Sequence, residues 1–317
     1  MNVFITGGAG FVGSHMAHRL AGAGHAVTAY DNLSLGRRAF LADLVDANAC
    51  ALVEADLLDR DRLLDAMAGH DLVVHLAANS DIPRGVADPE VDLRQGVVAT
   101  FNVLEAMRAH GIGQLLFASS SVVYGEAETI PTPEDYGPLL PISYYGASKL
   151  AGEGLTTAYG HNAGIRSWVY RFGNIVGPHA THGVILDFVH KLQADPTRLE
   201  VLGDGRQAKP YLHVTDCVDG MLFGFEHADA PVNVFNLAVD DALDVASIAE
   251  IVVEAMGLAD VAIVYAGGER GWPGDVPRVG LDPARLTSLG WTASMPSREA
   301  VRRAAAEIVA QESGTAS

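Results

Sequence analysis

The chain has 317 residues, 49% of them apolar, with 34 glycines and two cysteines, which is the composition of a globular α/β protein and excludes a disordered or fibrous one. Thirty-nine acidic against 21 basic side chains give a formal net charge of −18, which repels polyanions and argues against nucleic acid or an anionic membrane as partner. No run approaches the ~18 apolar residues of a membrane span. The start shows no basic stretch or cleavage site, so a cytoplasmic setting is expected, with Cys50 and Cys217 as buried thiols.

Val3-Phe4-Ile5-Thr6 reads as a buried strand, and Val12, Met16 and Leu20 then recur at helical spacing. Between them lies Thr6-Gly7-Gly8-Ala9-Gly10-Phe11-Val12-Gly13. It holds Gly-x-Gly-x-x-Gly (Gly8, Gly10, Gly13) and the wider spacing Gly7, Gly10, Gly13. Missing side chains let such a backbone turn tightly and approach a pyrophosphate, and the helix start offers free N–H groups and a partial positive charge. Ala26 to Tyr30 is a second strand. Asp31 follows it, 18 residues past Gly13, where a carboxylate accepts from the adenosine ribose hydroxyls and repels a 2′-phosphate. That favours NAD over NADP, with Arg37 and Arg38 opposing. A helical stretch around Leu63, Leu64 and Met67 precedes a strand at Leu72–Leu76. Further strands are expected at Gln114–Ser119 and Ser167–Phe172. Strands separated by helices imply parallel βαβ units with right-handed crossovers.

Beyond Gly177-Pro178 the pattern loosens. Helices are expected over His182–Gln193, His213–Phe225, 245–256 and 298–310, and strands over Leu199–Leu202 and Val232–Asn236. The fold class is therefore α/β, a Rossmann-type doubly wound parallel sheet with a smaller α/β C-terminal substrate domain. Residues 1–177 with about 208–240 form the dinucleotide-binding domain, about 178–207 and 241–312 the substrate-binding domain, and 313–317 a polar tail.

Tyr145-Gly146-Ala147-Ser148-Lys149 lies in a helical segment, so Tyr145 and Lys149 share one face a turn apart. An ammonium beside a phenol lowers the phenol's pKa and suits it to general acid–base work. Ser119, Ser120 and Ser121 stand at the end of an expected strand, where such sheets place their sites. No metal is expected: His15 and His18 are i, i+3 on a solvated helix face, and His179 and His182 lie in a loop read as bordering the substrate.

On these residues the chain resembles the extended short-chain dehydrogenase/reductases, and within them the UDP-galactose/UDP-glucose 4-epimerase branch. The resemblance runs through TGGAGFVGS at 6–14, DNLS at 31–34, HLAA at 75–78, SSSVVYG at 119–125, YGASK at 145–149, RFGNIVGP at 171–178 and GDGRQAKPYLHVTD at 203–216. It implies NAD as cofactor. Gly7, Gly10, Phe11, Val12 and Gly13 would lie along the pyrophosphate, and Asp31, Asn32 and Ser34 would hold the ribose. Asp56 and Leu57 would flank the adenine. Leu76, Ala77, Ala78 and Phe172 would line the way to the nicotinamide. It selects Ser120 from the three serines as catalytic with Tyr145 and Lys149, the last two also touching the cofactor. The substrate, a nucleotide sugar and foremost a UDP-sugar, would meet Ser80, Ser120, Ser121, Tyr145, Asn174, Val184, Lys209, Arg270 and Val279.

The chain departs from that family in three places. Its asparagine before the V-x-G-T run is Gly96. The arginine of its phosphate loop is Lys209, followed by Pro210. The arginine of its R-x-G-D segment is Trp272, with Arg270 two residues upstream as a substitute and Trp272 able to stack on a base. Related dehydratases and decarboxylases carry acidic residues after the catalytic hydroxyl or near it. Here Ser121 and Val122 follow Ser120, and neither exchanges a proton at neutral pH. The expected activity is 4-epimerisation through a transient 4-keto sugar, with UDP-glucose and UDP-galactose foremost and their N-acetyl forms admitted by the small Val279. The alternatives are another sugar, such as a uronic acid or heptose, a dehydrogenase that releases NADH, and a non-enzymatic NAD-sensing protein. A homodimer is expected, pairing helices at about 91–110 and 144–160, with Val98, Phe101 and Leu155 as apolar candidates.

Overall fold

The computed structural model describes residues 1–271 and 276–314. Trp272 and Asp275, with the stacking expected of Trp272, lie outside the described residues, as do 315–317 of the tail. The chain divides into two units. The first comprises 1–125, 137–172 and 218–235; the second comprises 126–136, 173–217 and the chain from 236 onward.

The first unit is built on a sheet of seven strands. Strand β1 (Asn2–Thr6) lies inside it, paired parallel with β2 (Ala26–Asp31) on one side and β4 (Leu72–His75) on the other. β2 carries β3 (Cys50–Glu54) at one edge. β4 leads to β5 (Gln114–Ser120) and β6 (Arg166–Phe172), also parallel. Strand Val232–Leu237 closes the other edge beside β6. The strand order reverses between β1 and β4, and in open parallel sheets the crevice at the carboxyl ends of that pair is where ligands bind. Val3, Phe4 and Ile5 on β1 and all four residues of β4 are buried, the continuous burial of a sheet covered on both faces. β3 was not legible in the sequence. Cys50-Ala51-Leu52-Val53-Glu54 is short, and at an edge only Cys50 is fully buried, so neither alternation nor an apolar run stands out.

Helix α1 (Phe11–Gly22) follows the glycine turn. Its N-cap, Gly10, is extended and makes no side-chain cap, and no acidic residue occupies its first turn. The helix Tyr144–Ala163 is started by Ser143, whose Oγ accepts from the Gly146 N–H at 3.0 Å, and is ended by Gly164 at φ +68°. The stretch read as one helix at about 91–110 has three parts: a turn at Pro89–Asp92, a π-helical turn at Leu93–Val98 and an α-helix at Ala99–His110. At Gly96 a Cβ would come 2.5 Å from Ser148 Oγ. Glycine there, where the resemblance expects asparagine, lets the π turn press against the Tyr144–Ala163 helix.

The second unit has its own core. Ile185, Phe188, Val189 and Leu192 of helix Val184–Ala194 pack with Ile248, Ile251 and Val252 of helix Val245–Ala255 and with Ala300, Val301, Ala304 and Ile308 of helix Ser297–Glu312. The periodicity behind these helices was plain in the sequence. The boundary of the unit was not. Residues 173–177, 208–217 and 236–240, read with the large domain, fall here. The reason is pairing: Tyr211–His213 lies beside Asn174–Val176, and Ala208–Lys209 beside Leu243–Asp244. Residues 126–136 also belong here, because Thr132 bridges to Leu281 and Asn236 Nδ2 donates to the Thr132 carbonyl at 2.8 Å.

Candidate active site

The glycine turn closes on itself. Gly7, at φ +66°, donates its N–H to the Tyr30 carbonyl at 2.9 Å, and its own carbonyl accepts from Gly10 N at 3.1 Å. A Cβ on Gly13 would stand 2.0 Å from that carbonyl oxygen, and a Cβ on Gly7 2.8 Å from Ala77 N, so only hydrogen fits at either position. Below the turn, Asp31 uses both oxygens to brace it: Oδ2 accepts from Ala9 N at 3.0 Å and Oδ1 from Leu33 N at 2.8 Å. Burial pushes the Asp31 carboxyl above its ordinary range, while the two N–H bonds pull it back. Each oxygen keeps a second lone pair for a ribose hydroxyl. The two arginines weighed against NAD both have partners. Arg38 pairs with Glu54, and the guanidinium of Arg37 lies 5.7 Å from the Phe40 ring centroid.

Asn32, Asp56 and Gln95 form a small polar group beside the turn. Asn32 Nδ2 donates to Asp56 Oδ2 at 3.0 Å, Gln95 Nε2 to the same oxygen at 3.2 Å, and Asn32 Oδ1 accepts from Ser34 N at 3.0 Å. Leu57 is buried, its carbonyl accepting from Asn102 Nδ2 at 2.9 Å. At the end of β4, Leu76 N donates to the Thr6 carbonyl at 3.2 Å and Ala77 N to Thr6 Oγ1 at 3.3 Å; Ala78 and Ser80 follow, half-buried.

His75, unassigned by sequence reasoning, ties this part together. Its Nδ1 is 2.6 Å from Thr6 Oγ1 and its Nε2 3.0 Å from Thr100 Oγ1, which donates to the Gly96 carbonyl at 2.5 Å. Thr100 has one proton, given to Gly96, so His75 must donate from Nε2 and accept at Nδ1 from Thr6. The neutral Nε2–H tautomer is thereby fixed. Burial, with the nearby Lys149 charge, holds the imidazole down at about 3.

The three serines at the end of β5 part ways. Ser119 is buried and its Oγ donates to Glu153 Oε1 at 2.5 Å. Ser120 hydrogen-bonds the Tyr145 phenol. Ser121 opens the turn Ser121–Tyr124. Of the three serines, Ser120 is the one bonded to the Tyr145 phenol. Lys149 Nζ donates to the Ala118 carbonyl at 2.7 Å and lies 5.7 Å from the Tyr145 ring centroid. The phenol's electrostatics differ from the sequence expectation. Burial first, and the Asp92 charge next, push its pKa well above the usual tyrosine range, and only the Ser120 bond opposes them. The ammonium is directed at a carbonyl, not at the phenol oxygen.

Behind this group lies an ion pair that sequence reasoning missed. Arg171 Nε and Nη2 donate to Glu153 Oε1 and Oε2 at 2.9 and 2.7 Å, and Nη1 donates to the Tyr124 hydroxyl at 2.9 Å. A signal was present: Tyr145, Lys149 and Glu153 follow one another at i, i+4 on one helix face. Phe172, the next residue after Arg171, ends β6.

The remaining expected substrate residues lie in the second unit. Asn174 Nδ2 reaches the Pro210 carbonyl at 3.4 Å. Val184 starts its helix and packs on that unit's core. Lys209 is held in a strand pair with Leu243. Val279 is half-buried beside that pair, its N–H donating to the Ala208 carbonyl at 3.2 Å. Arg270 is ion-paired with Glu126, so any phosphate it took would compete with that carboxylate. His18 contacts the Ser14 carbonyl and Asp43 at 2.7 and 3.1 Å. Among the described residues, no group of three or more His, Cys, Asp or Glu could hold a metal ion, and no helix is long and apolar enough to cross a membrane. Both cysteines are buried and unbridged.

Residues 3–238 match the NAD dependent epimerase/dehydratase family. A UDP-glucose 4-epimerase of Corynebacterium glutamicum is 31% identical over 317 aligned positions, covering 92% of this chain and 91% of that protein. A crystal structure of a UDP-galactose 4-epimerase superposes with a TM-score of 0.87 at 41% identity, covering 98% of this chain and 99% of the other. The UDP-glucose 4-epimerase of Thermus thermophilus, solved in complex with NAD, gives 0.86 at 29% identity, covering 96% and 98% of the two chains.

Proposed function

The chain belongs to the NAD dependent epimerase/dehydratase family, and on that premise we propose that it is an NAD-dependent 4-epimerase of a nucleotide sugar, with UDP-glucose and UDP-galactose as its substrates. The observation that carries this reading is the hydroxyl pair Ser120–Tyr145 beside a buried Lys149, with serine and valine rather than acids at the two following positions. A site with one proton-transferring hydroxyl and no acid at the two positions after Ser120 supports redox at one carbon, not elimination or decarboxylation.

The glycine turn fits a pyrophosphate: at Gly7 and Gly13 a side chain would clash with backbone, and the helix start is uncapped. Asp31, with Arg37 and Arg38 otherwise engaged, fits NAD better than NADP. When bound, NAD would supply the acceptor and donor of hydride for the sugar's C4. Tyr145 takes the 4-hydroxyl proton as the carbinol is oxidised and returns it when the keto sugar is reduced on its other face. Ser120 holds the same oxygen and favours the phenolate, and Lys149 lies one helical turn on with its ammonium on the Ala118 carbonyl. Asn174, Val184, Lys209, Arg270 and Val279 serve the nucleotide sugar in this reading, and the protein works in the cytoplasm as a homodimer.

The test is to incubate the purified chain with UDP-galactose and follow UDP-glucose by chromatography and NADH by absorbance. Epimerisation without stoichiometric NADH is expected, and Tyr145→Phe should reduce it at least about 100-fold. Stoichiometric NADH release would mean a dehydrogenase. Inertness toward both UDP-hexoses, with turnover of a UDP-uronic acid, would move the substrate assignment to the departures at Lys209 and Pro210.

A further inference from the structure

Lys149 sits where an ammonium is hard to keep. It is 4% exposed, with its Nζ on one carbonyl and 5.3 Å from the Phe117 ring centroid. Burial draws its pKa down to about 8, and the charges of Glu153 and Asp92 work against that. These two carboxylates are not equivalent. Glu153, one turn along the same helix, is the larger of the two charges acting on Lys149, and it is also held by both arms of Arg171 and by Ser119.

Asp92 is 2% exposed and ends the short helix Pro89–Asp92, which packs against the Tyr144–Ala163 helix. Its Oδ1 accepts from Asn79 Nδ2 at 3.0 Å. Its Oδ2 is enclosed and has no hydrogen-bond partner, and neither has Asn79 Oδ1. Room for Oδ2 comes from Gly85, where a Cβ would stand 2.0 Å from it. Four residues on, Gly96 rests against Ser148, the residue before Lys149. The other charges facing Asp92 are Asp81 and Asp88, which with burial raise its pKa, and Lys149, which with the Asn79 bond lowers it; the Tyr145 phenol also feels Asp92, which pushes it up. His75 also faces Lys149 but is neutral. A buried carboxylate with a bare oxygen remains charged only beside a cation, and Lys149 is the cation acting on it.

We propose that Asp92 is a positioning residue of the active site, a second buried counter-charge that, with Glu153, keeps Lys149 protonated beside Tyr145. This rests on reading Tyr145 and Lys149 as the proton-transfer pair, yet its decisive test needs no substrate. The chain has three lysines, Lys149, Lys191 and Lys209, so side-chain ¹³C labelling of lysine gives three titrations to follow by NMR. In the wild-type chain Lys149 should titrate at about 8. In Asp92→Asn, which keeps the shape and an acceptor for Asn79, its midpoint should fall by about half a pH unit or more. With UDP-galactose, the alkaline limb of kcat should move to lower pH by the same amount, while a purely structural Asp92 would lower kcat at every pH alike. An unchanged or raised Lys149 midpoint in folded Asp92→Asn overturns the proposal. If that variant does not fold, Asp92→Ser carries the same expectation. If neither folds, the carboxyl serves folding rather than Lys149 and the proposal is again overturned. Failure of wild type to epimerise UDP-galactose would sink the functional reading but leave the lysine titration to decide Asp92.

Discussion

Replacing Glu153 by glutamine tests how the floor of the site is held. The Glu153 and Arg171 side chains are only 9% and 6% exposed, and both carboxylate oxygens bond the guanidinium, at 2.9 and 2.7 Å. Glutamine keeps the volume and one acceptor but removes the charge, leaving a buried guanidinium that no carboxylate at 153 neutralises, with its Nη1 still on the Tyr124 hydroxyl at 2.9 Å. Breaking one side of a buried pair costs about 3–5 kcal/mol, because the surviving ion has been taken out of water without compensation. Taking the lower figure, with roughly 2–4 °C per kcal/mol for a unit of 150–250 residues, the melting temperature should fall by about 6–12 °C. Scanning calorimetry reads this directly. The physical cause has its own control. In Glu153→Gln/Arg171→Met neither charge of this pair is left buried, so the double variant should recover most of the loss. A single variant melting within about 2 °C of wild type, or a double variant no better than the single, would refute the argument from uncompensated charge.

Three further outcomes are expected. His75 is held at about 3 when folded and returns to about 6.5 when unfolded, so the unfolded chain binds more protons between these values. Its contribution to stability is therefore complete above about pH 6.5 and is lost as pH falls, by up to about 1.4 kcal/mol per unit. Urea unfolding between pH 6.5 and 5 should show a steeper decline for wild type than for His75→Gln, and equal slopes would count against a neutral buried imidazole. Val279→Tyr should remove turnover of UDP-N-acetylgalactosamine while sparing UDP-galactose; equal loss of both would show that the position does not read the C2 substituent. Light scattering at micromolar concentration should give the mass of a dimer, since Val98 and Phe101 are 40% and 37% exposed, and charged substitution of both should give monomers. Leu155 is expected to matter less, because it packs on the first unit's own core.

What was legible in the sequence was local. The glycine turn could be read because its demands, hydrogen in place of Cβ at Gly7 and Gly13 and an uncapped helix start, are met by neighbouring residues. Tyr145 and Lys149 could be paired because four residues are one helical turn. The central strands stood out because burial on both faces leaves an unbroken apolar run. Whatever depended on which distant segments meet was decided by the tertiary structure alone. Three adjacent serines are chemically alike, and only the approach of Glu153 to Ser119 and of Tyr145 to Ser120 gives them different work. His75 reads as one apolar-strand residue among others until Thr6 and Thr100, 69 and 25 residues away, fix its tautomer. Residues 126–136 join the second unit through Thr132 and Asn236, and no periodicity could announce that pairing. The sign of the phenol's shift turned for the same reason. Sequence spacing placed a cation near Tyr145, but burial and the Asp92 charge, set by packing, raise the phenol and only the Ser120 bond opposes them, because the charged form of a group is governed by everything around it and not by its nearest neighbour along the helix.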